Sequence, residues 1–266
     1  MIKVTFDTNT FDKAARPHVY AKDPDHGSFV KVHEGVKDGR VKGFLSDPIV
    51  TLEGIKVDDR ADVFGSTALA SRITEEGCDT IHVNLRTEQP LRSPLHPKQA
   101  ERLGAALALG MKFLGTPRVG VEVPNADPYV QETEQELTAR LDRLVTLAKA
   151  IENRGLGSIQ AQRLAQRLAN TAPTMPALWL KALSAARDIH EKRDVARAIA
   201  EWSDGDSIAA HYGYGNDIFC SGDEARLGHT SILDATNRAW LMTEFGNRFL
   251  HDPRACSSSL VLGYVP

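Results

Sequence analysis

The chain has 266 residues, enough for one large domain or for a domain carrying a substantial insertion. Its 42% hydrophobic and 25% charged residues are those of a folded globular protein and exclude a disordered chain. With 32 basic and 35 acidic side chains the net charge is −3, so no overall positive field marks it for nucleic acid, and any such binding needs a local patch.

In chain order, Ile2 to Phe6 alternate apolar and polar residues with β-favouring side chains and predict a first strand that stops on Asp7. After a polar, Pro-containing loop, Phe29, Val32 and Val36 recur at helical spacing. A second strand is expected at Val41 to Leu45. Ser46 or Asp47 then serves as N-cap with Pro48 just inside a helix carrying "PIVTLEGIK", which places Glu53 on that helix. The β-α-β-α order predicts a parallel sheet with right-handed crossovers. Further strands are expected at "TIHVNL" (80–85) and "RVGVEV" (118–123), separated by the helical "PKQAERLGAALALGMKFLG". From 131 to 202 the pattern is helical, with Leu137, Leu141, Leu144 and Leu147 along one face. "DSIAAH" predicts a short helix opened by Asp206, "DIFCS" a strand ending near Asp223, "SILDATNRAWLMTEFG" a helix stopped by glycine, and "NRFLH" a last strand.

Ligands of open α/β sheets bind outside the carboxyl ends of the strands, where Asp7 and Asp223 are expected. Two carboxylates held close there repel each other unless a cation lies between them, and hard oxygen ligands point to Mg²⁺ or Mn²⁺. Glu53 and Asp206 are placed to join them, and Asn9 and Ser221 to orient a carboxylate by hydrogen bonding. Taken alone, Asp-Thr-Asn after a strand is an ordinary turn and Asp206 an ordinary N-cap, with Asp204 an equally good cap. Asp47, Asp58, Asp59 and Asp62 are neighbouring alternatives to Glu53. Arg154, Arg163 and Arg167, with Lys192, Arg193 and Arg197, form either a phosphate-contacting surface or simply a solvated helix face.

The set "FDTN" at 6–9, the Glu in "SDPIVTLEGI", "GDSIAAH" at 205–211 and "IFCSGDEA" at 218–225 resembles the PIN-domain family of metal-dependent nucleases, in that family's chain order. The match covers residues 1–56 and about 195–252 and leaves 57–195 as a large, mostly helical insertion or cap. The resemblance implies a single PIN-like domain over 1–266, with a three-layer α/β/α fold and a central parallel sheet. It assigns Asp7, Glu53, Asp206 and Asp223 to the four acidic catalytic and metal-holding positions, and Ser221 to the hydroxyl before the last acid. The activity it implies is endoribonuclease hydrolysis of RNA by metal-activated water with Mg²⁺ or Mn²⁺; the alternative is an inert PIN-like scaffold that binds RNA or protein. The expected partner is RNA or another single-stranded nucleic acid, with a homo-oligomer or an antitoxin-like protein left open. Three cysteines without a C-x-x-C pair, and no run of about 18 apolar residues, lead to the expectation of a cytoplasmic chain with no membrane span.

Overall fold

A computed structural model describes residues 1–76, 80–88, 95–116, 129–169, 179–223 and 230–246. The chain begins with strand β1 (Ile2–Phe6), helices α1 (Phe11–Ala15) and α2 (His26–Lys37), strand β2 (Val41–Ser46), and the short helices α3 (Pro48–Thr51) and α4 (Arg60–Gly65). A hairpin of β3 (Ala68–Glu76) and β4 (Thr80–Glu88) follows, then α5 (Pro97–Ala108) and β5 (Lys112–Leu114). Two long helices, α6 (Glu134–Asn153) and α7 (Ser158–Ala169), lead through a 3-10 turn at Trp179–Ala185 to α8 (Ile189–Gly213). Strand β6 (Ile218–Cys220) and helix α9 (Ala235–Phe245) complete the described elements.

Four strands form one sheet in the order β5-β2-β1-β6, and every pairing is parallel. All of them therefore end on the same edge. The period of two along each strand divides the core. Val4 and Phe6 of β1 and Leu45 of β2 pack with Phe29 and Val32 of α2 and with Leu103 and Ala106 of α5. On the other face Phe44 of β2 and Leu114 of β5 meet Leu144 of α6 and Ala209 and Ala210 of α8. Thr5 of β1 also lies buried on that side, where its hydroxyl is bonded to His211 (2.9 Å) and Asn216 (2.8 Å). Helices thus cover both faces of a parallel sheet. A separate helical core joins Phe64 of α4, Leu164 and Leu168 of α7, and Ile199 and Trp202 of α8.

Several expected elements take a different form. The helix after β2 stops at Thr51, so Glu53 lies in the loop beyond α3 and not on a helix. The buried Arg60 guanidinium holds that loop by donating to the carbonyls of Glu53 (3.0 Å), Ile55 (3.1 Å) and, across on α8, Ala196 (2.8 Å). The helix expected through residue 115 ends at Ala108, because Gly110 turns at φ +96° and frees Lys112–Leu114 to pair with β2. "TIHVNL" belongs to β4, which pairs antiparallel with β3 away from the main sheet. The stretches 118–123 and 247–251 lie outside the described residues. Leu144 and Leu147 of the α6 stripe are buried, but Leu137 is exposed. Besides its helices, the stretch 57–195 supplies the hairpin and β5, an edge strand of the main sheet, and its expected end falls inside α8.

"DSIAAH" is likewise not a separate helix. It is the carboxyl half of α8, a 25-residue helix capped by the Asp188 carboxylate, which accepts from the N–H groups of His190 and Glu191, both at 2.8 Å. Gly205 in its middle is a packing residue, since a Cβ there would come 3.2 Å from the Cα of Gly157, in the turn between α6 and α7. That Cα belongs to backbone held at φ +64° and has little freedom to retreat. Gly205→Val should therefore lower stability by about 1–3 kcal/mol, read from the urea unfolding midpoint. An unchanged midpoint would show that α8 does not need this close approach.

Candidate functional site

β1 delivers Asp7 to the carboxyl edge of the sheet beside the end of β6, where its own N–H bonds the Cys220 carbonyl at 3.0 Å. Asp7 is 6% exposed, and its carboxylate accepts three hydrogen bonds. Oδ1 accepts from the Thr8 N–H (2.7 Å), while Oδ2 accepts from the Ser221 hydroxyl (2.7 Å) and the Asn9 amide (3.0 Å). Both supporting groups reach across the sheet edge. The Asn9 carbonyl oxygen accepts the Gly222 N–H at 3.0 Å, and the Ser221 Oγ that donates to Asp7 also accepts the Asp223 N–H at 3.1 Å. One short network thus binds the "DTN" loop to the "SGD" loop and places Asp223 beside Asp7. The Asp223 charge adds to burial in raising the Asp7 pKa, against the opposing hydrogen bonds.

Glu53 enters from the loop that Arg60 holds. Its Oε1 accepts from the Ser203 hydroxyl of α8 at 2.6 Å. Burial first, and then the Asp7 charge, push its pKa up to about 7. The alternative acids do not approach. Asp47 is buried but committed to Thr116, whose N–H (3.1 Å) and hydroxyl (2.5 Å) both donate to its Oδ1, and Asp58 and Asp62 are exposed.

On α8 it is Asp204, and not the expected Asp206, whose charge environment includes Asp7, Glu53 and Asp223. Two residues along an α-helix is a rotation of roughly 200°, so the two side chains leave α8 on opposite sides. Asp204 feels the charges of Asp7, Glu53, Glu201 and Asp223, which add to desolvation in raising its pKa well above the ordinary carboxylate range. Asp206 feels Asp47 and Glu152 instead, and burial raises its pKa to about 8. It is a half-buried acid in the middle of a helix, so the expected N-cap role does not apply.

Glu201 is a fifth acid that the sequence did not single out. It lies one turn before Asp204, and its pKa is raised by burial and by the charges of Asp223 and Asp234. Its Oε2 is buried with no hydrogen-bond partner among the described residues. The i, i+3 spacing of Glu201 and Asp204 would have marked it, had α8 been extended through Gly205.

Of the arginines considered for RNA contact, Arg154 is structural: it bonds Asn237 Oδ1 at 3.1 Å and lies over the Trp240 ring, 4.5 Å from its centroid. Among the described residues Arg163 bonds the Gly155 carbonyl, at 3.5 Å, and Arg167 lines a small cavity with Asp194 and Arg197. None of the three is among the groups whose charge reaches the acids.

Comparison with family models, curated proteins and solved structures returned no match to this chain. The chemistry of the site therefore has to be judged on its donors. Buried and half-buried hard carboxylate oxygens close to an exposed Asp223, with Glu201 Oε2 unpartnered among the described residues, are the donor set that Mg²⁺ or Mn²⁺ takes. As arranged, no three His, Cys, Asp or Glu side chains among the described residues stand close enough to clasp an ion.

The raised carboxyl pKa values set the pH dependence of stability. A carboxyl that holds its proton more tightly folded than unfolded favours the fold at acid pH, and this contribution is lost as pH rises through its two pKa values. For Glu53 that window runs from 4.5 to about 7, and Asp7 and Asp204 act in the same direction. In chelator, the melting temperature should fall between pH 5 and 8, and Glu53→Gln should raise it at pH 8 by about 3 °C or more. A profile that rises over that interval would show that the acids are not mutually repelled.

Proposed function

We propose that the chain is a Mg²⁺- or Mn²⁺-dependent nuclease of PIN-like type, hydrolysing phosphodiester bonds of RNA. The observation that supports this is that Asp7, Glu53, Asp204 and Asp223, drawn from four separate places in the chain, lie near enough to the carboxyl edge of one parallel sheet for their charges to act on one another. A cation held by these four acids would supply Lewis-acid activation of the phosphodiester and of water. The chain's own residues do the positioning. Ser221 and Asn9 fix the Asp7 carboxylate, and Ser203 fixes Glu53. Glu53, whose pKa is raised to about 7 by burial and the Asp7 charge, would give up its proton on taking the cation. No side-chain nucleophile enters this scheme.

A second reading, an inert PIN-like scaffold that binds RNA or a protein partner, is favoured by one feature: the acids are not arranged around an ion. No described helix is long and apolar enough to cross a membrane, so neither reading involves a helical membrane anchor among the described residues.

Purified protein with Mn²⁺ and single-stranded RNA should show cleavage that falls at least about a hundredfold in Asp7→Asn and in Asp204→Asn. Asp206→Asn should remain within about threefold of the parent, because its charge lies outside the cluster. Cleavage that survives Asp7→Asn, or that is lost in Asp206→Asn and kept in Asp204→Asn, would overturn the assignment. Absence of any cleavage would favour the scaffold.

A further inference from the structure

Beside Glu53 the surface opens into a cavity of about 390 Å³. Thr8 and Glu53 of the acidic site form one part of its lining, and Lys56, His96, Lys98 and Arg102 form another. These basic residues come from two places that the fold brings together: the loop after α3 and the first turns of α5.

Three observations describe its electrostatics. Lys56 and Lys98 are exposed and make no ion pair with a described residue, whereas Arg102 is partly engaged by Asp12 at 3.1 Å. The first turn of α5 carries no acidic side chain, so the positive end of its dipole is not neutralised there. The His96 ring caps that helix, accepting the Lys98 N–H at 3.2 Å, which sets the backbone between the two side chains. In a chain of net charge −3, this concentration of positive charge directly against a carboxylate cluster is local, not a reflection of composition.

We propose that this cavity is a phosphate-holding subsite for single-stranded nucleic acid. The strand's phosphate adjoining the one at the acids sits between Lys56 and Lys98, and Arg102 and the α5 amino terminus add to the field. The inference rests on the nuclease reading for what lies at the acids, and it names the side from which the strand arrives. A polyanion approaching four carboxylates is repelled, and a neighbouring cationic pocket offsets that repulsion while fixing register. The volume suits one unit of a single strand, at the lower end of about 300–1,000 Å³ for small-ligand pockets. A rigid duplex could not insert one unit there without unpairing.

The test measures binding and cleavage separately. Fluorescence anisotropy of a labelled oligouridylate is followed with the full-length protein in EDTA over a range of salt. The lysines are exposed, so Lys56→Glu with Lys98→Glu leaves the core intact, and it should weaken binding by about tenfold or more. The double change Lys56→Ala, Lys98→Ala should lower the salt slope by about 1.4, the value for two lost contacts to a single strand. Arg163→Glu with Arg167→Glu, on the outer surface of α7, should change affinity by less than about twofold. Binding that is absent in the parent, unchanged by the lysine variants, or lost only in the α7 variant overturns the subsite. Cleavage with Mn²⁺, measured on the same proteins, keeps the two claims apart. Lysine-dependent binding without cleavage sustains the subsite and overturns the nuclease. Cleavage with lysine-independent binding does the reverse.

Discussion

The repulsion between the Asp7, Glu53, Asp204 and Asp223 carboxylates is the constraint around which the edge of this sheet is built. Asp7 is buried and Glu53 and Asp204 half-buried, which costs a charged carboxylate solvation, and the charge of the exposed Asp223 adds to that cost. A protein selected only for stability would separate them. Here the chain holds them together from three directions: two strand ends, the loop after α3, and one side of α8.

Each direction has its own brace, and the braces are interlocked. Parallel pairing of β1 with β6 puts the two loops side by side, so that Asn9 and Ser221 each bond both loops and Asp7 at once. Arg60 ties the Glu53 loop to the Ala196 carbonyl of α8, while Ser203, seven residues further along the same helix, receives the Glu53 carboxylate. The nearby serine pair Ser46 and Ser207, 2.6 Å apart, fastens α8 to the end of β2. The helix therefore acts as the fixed rail of the site. Its approach to the α6–α7 turn, made possible by Gly205, is part of the same arrangement.

Three of the four strands of the main sheet were legible in the sequence, whereas β5 lay inside a stretch that reads as helix. Ile2–Phe6, Val41–Ser46 and Ile218–Cys220 are short segments of β-favouring residues bounded by turn residues, and Asp7, Asn9, Ser221 and Asp223 follow directly from where those segments stop. What was not legible lies where local signals and tertiary packing disagree. "SDGDS" reads as a helix start, because Asp and Ser are good caps and glycine is a poor helix former. Packing of Gly205 against Gly157 removes the penalty that the local sequence implies, so the helix runs through. That continuation moves the site from Asp206 to Asp204 and brings in Glu201. For Glu53 the residue was legible and its element was not, since the buried Arg60, nine positions beyond Thr51, and no periodicity, defines the loop.

The account stands or falls on whether a cation replaces protons among these acids. Calorimetric titration of Mn²⁺ at pH 6.5, repeated in buffers of different ionisation enthalpy, counts the protons released as the ion binds. With the Glu53 pKa near 7 and that of Asp204 raised well above the ordinary carboxylate range by burial and by neighbouring charges, the site should show saturable binding with release of about one proton or more. It should also show a smaller release in Asp204→Asn and an unchanged release in Asp206→Asn. No binding heat, or binding without proton release, would contradict the account.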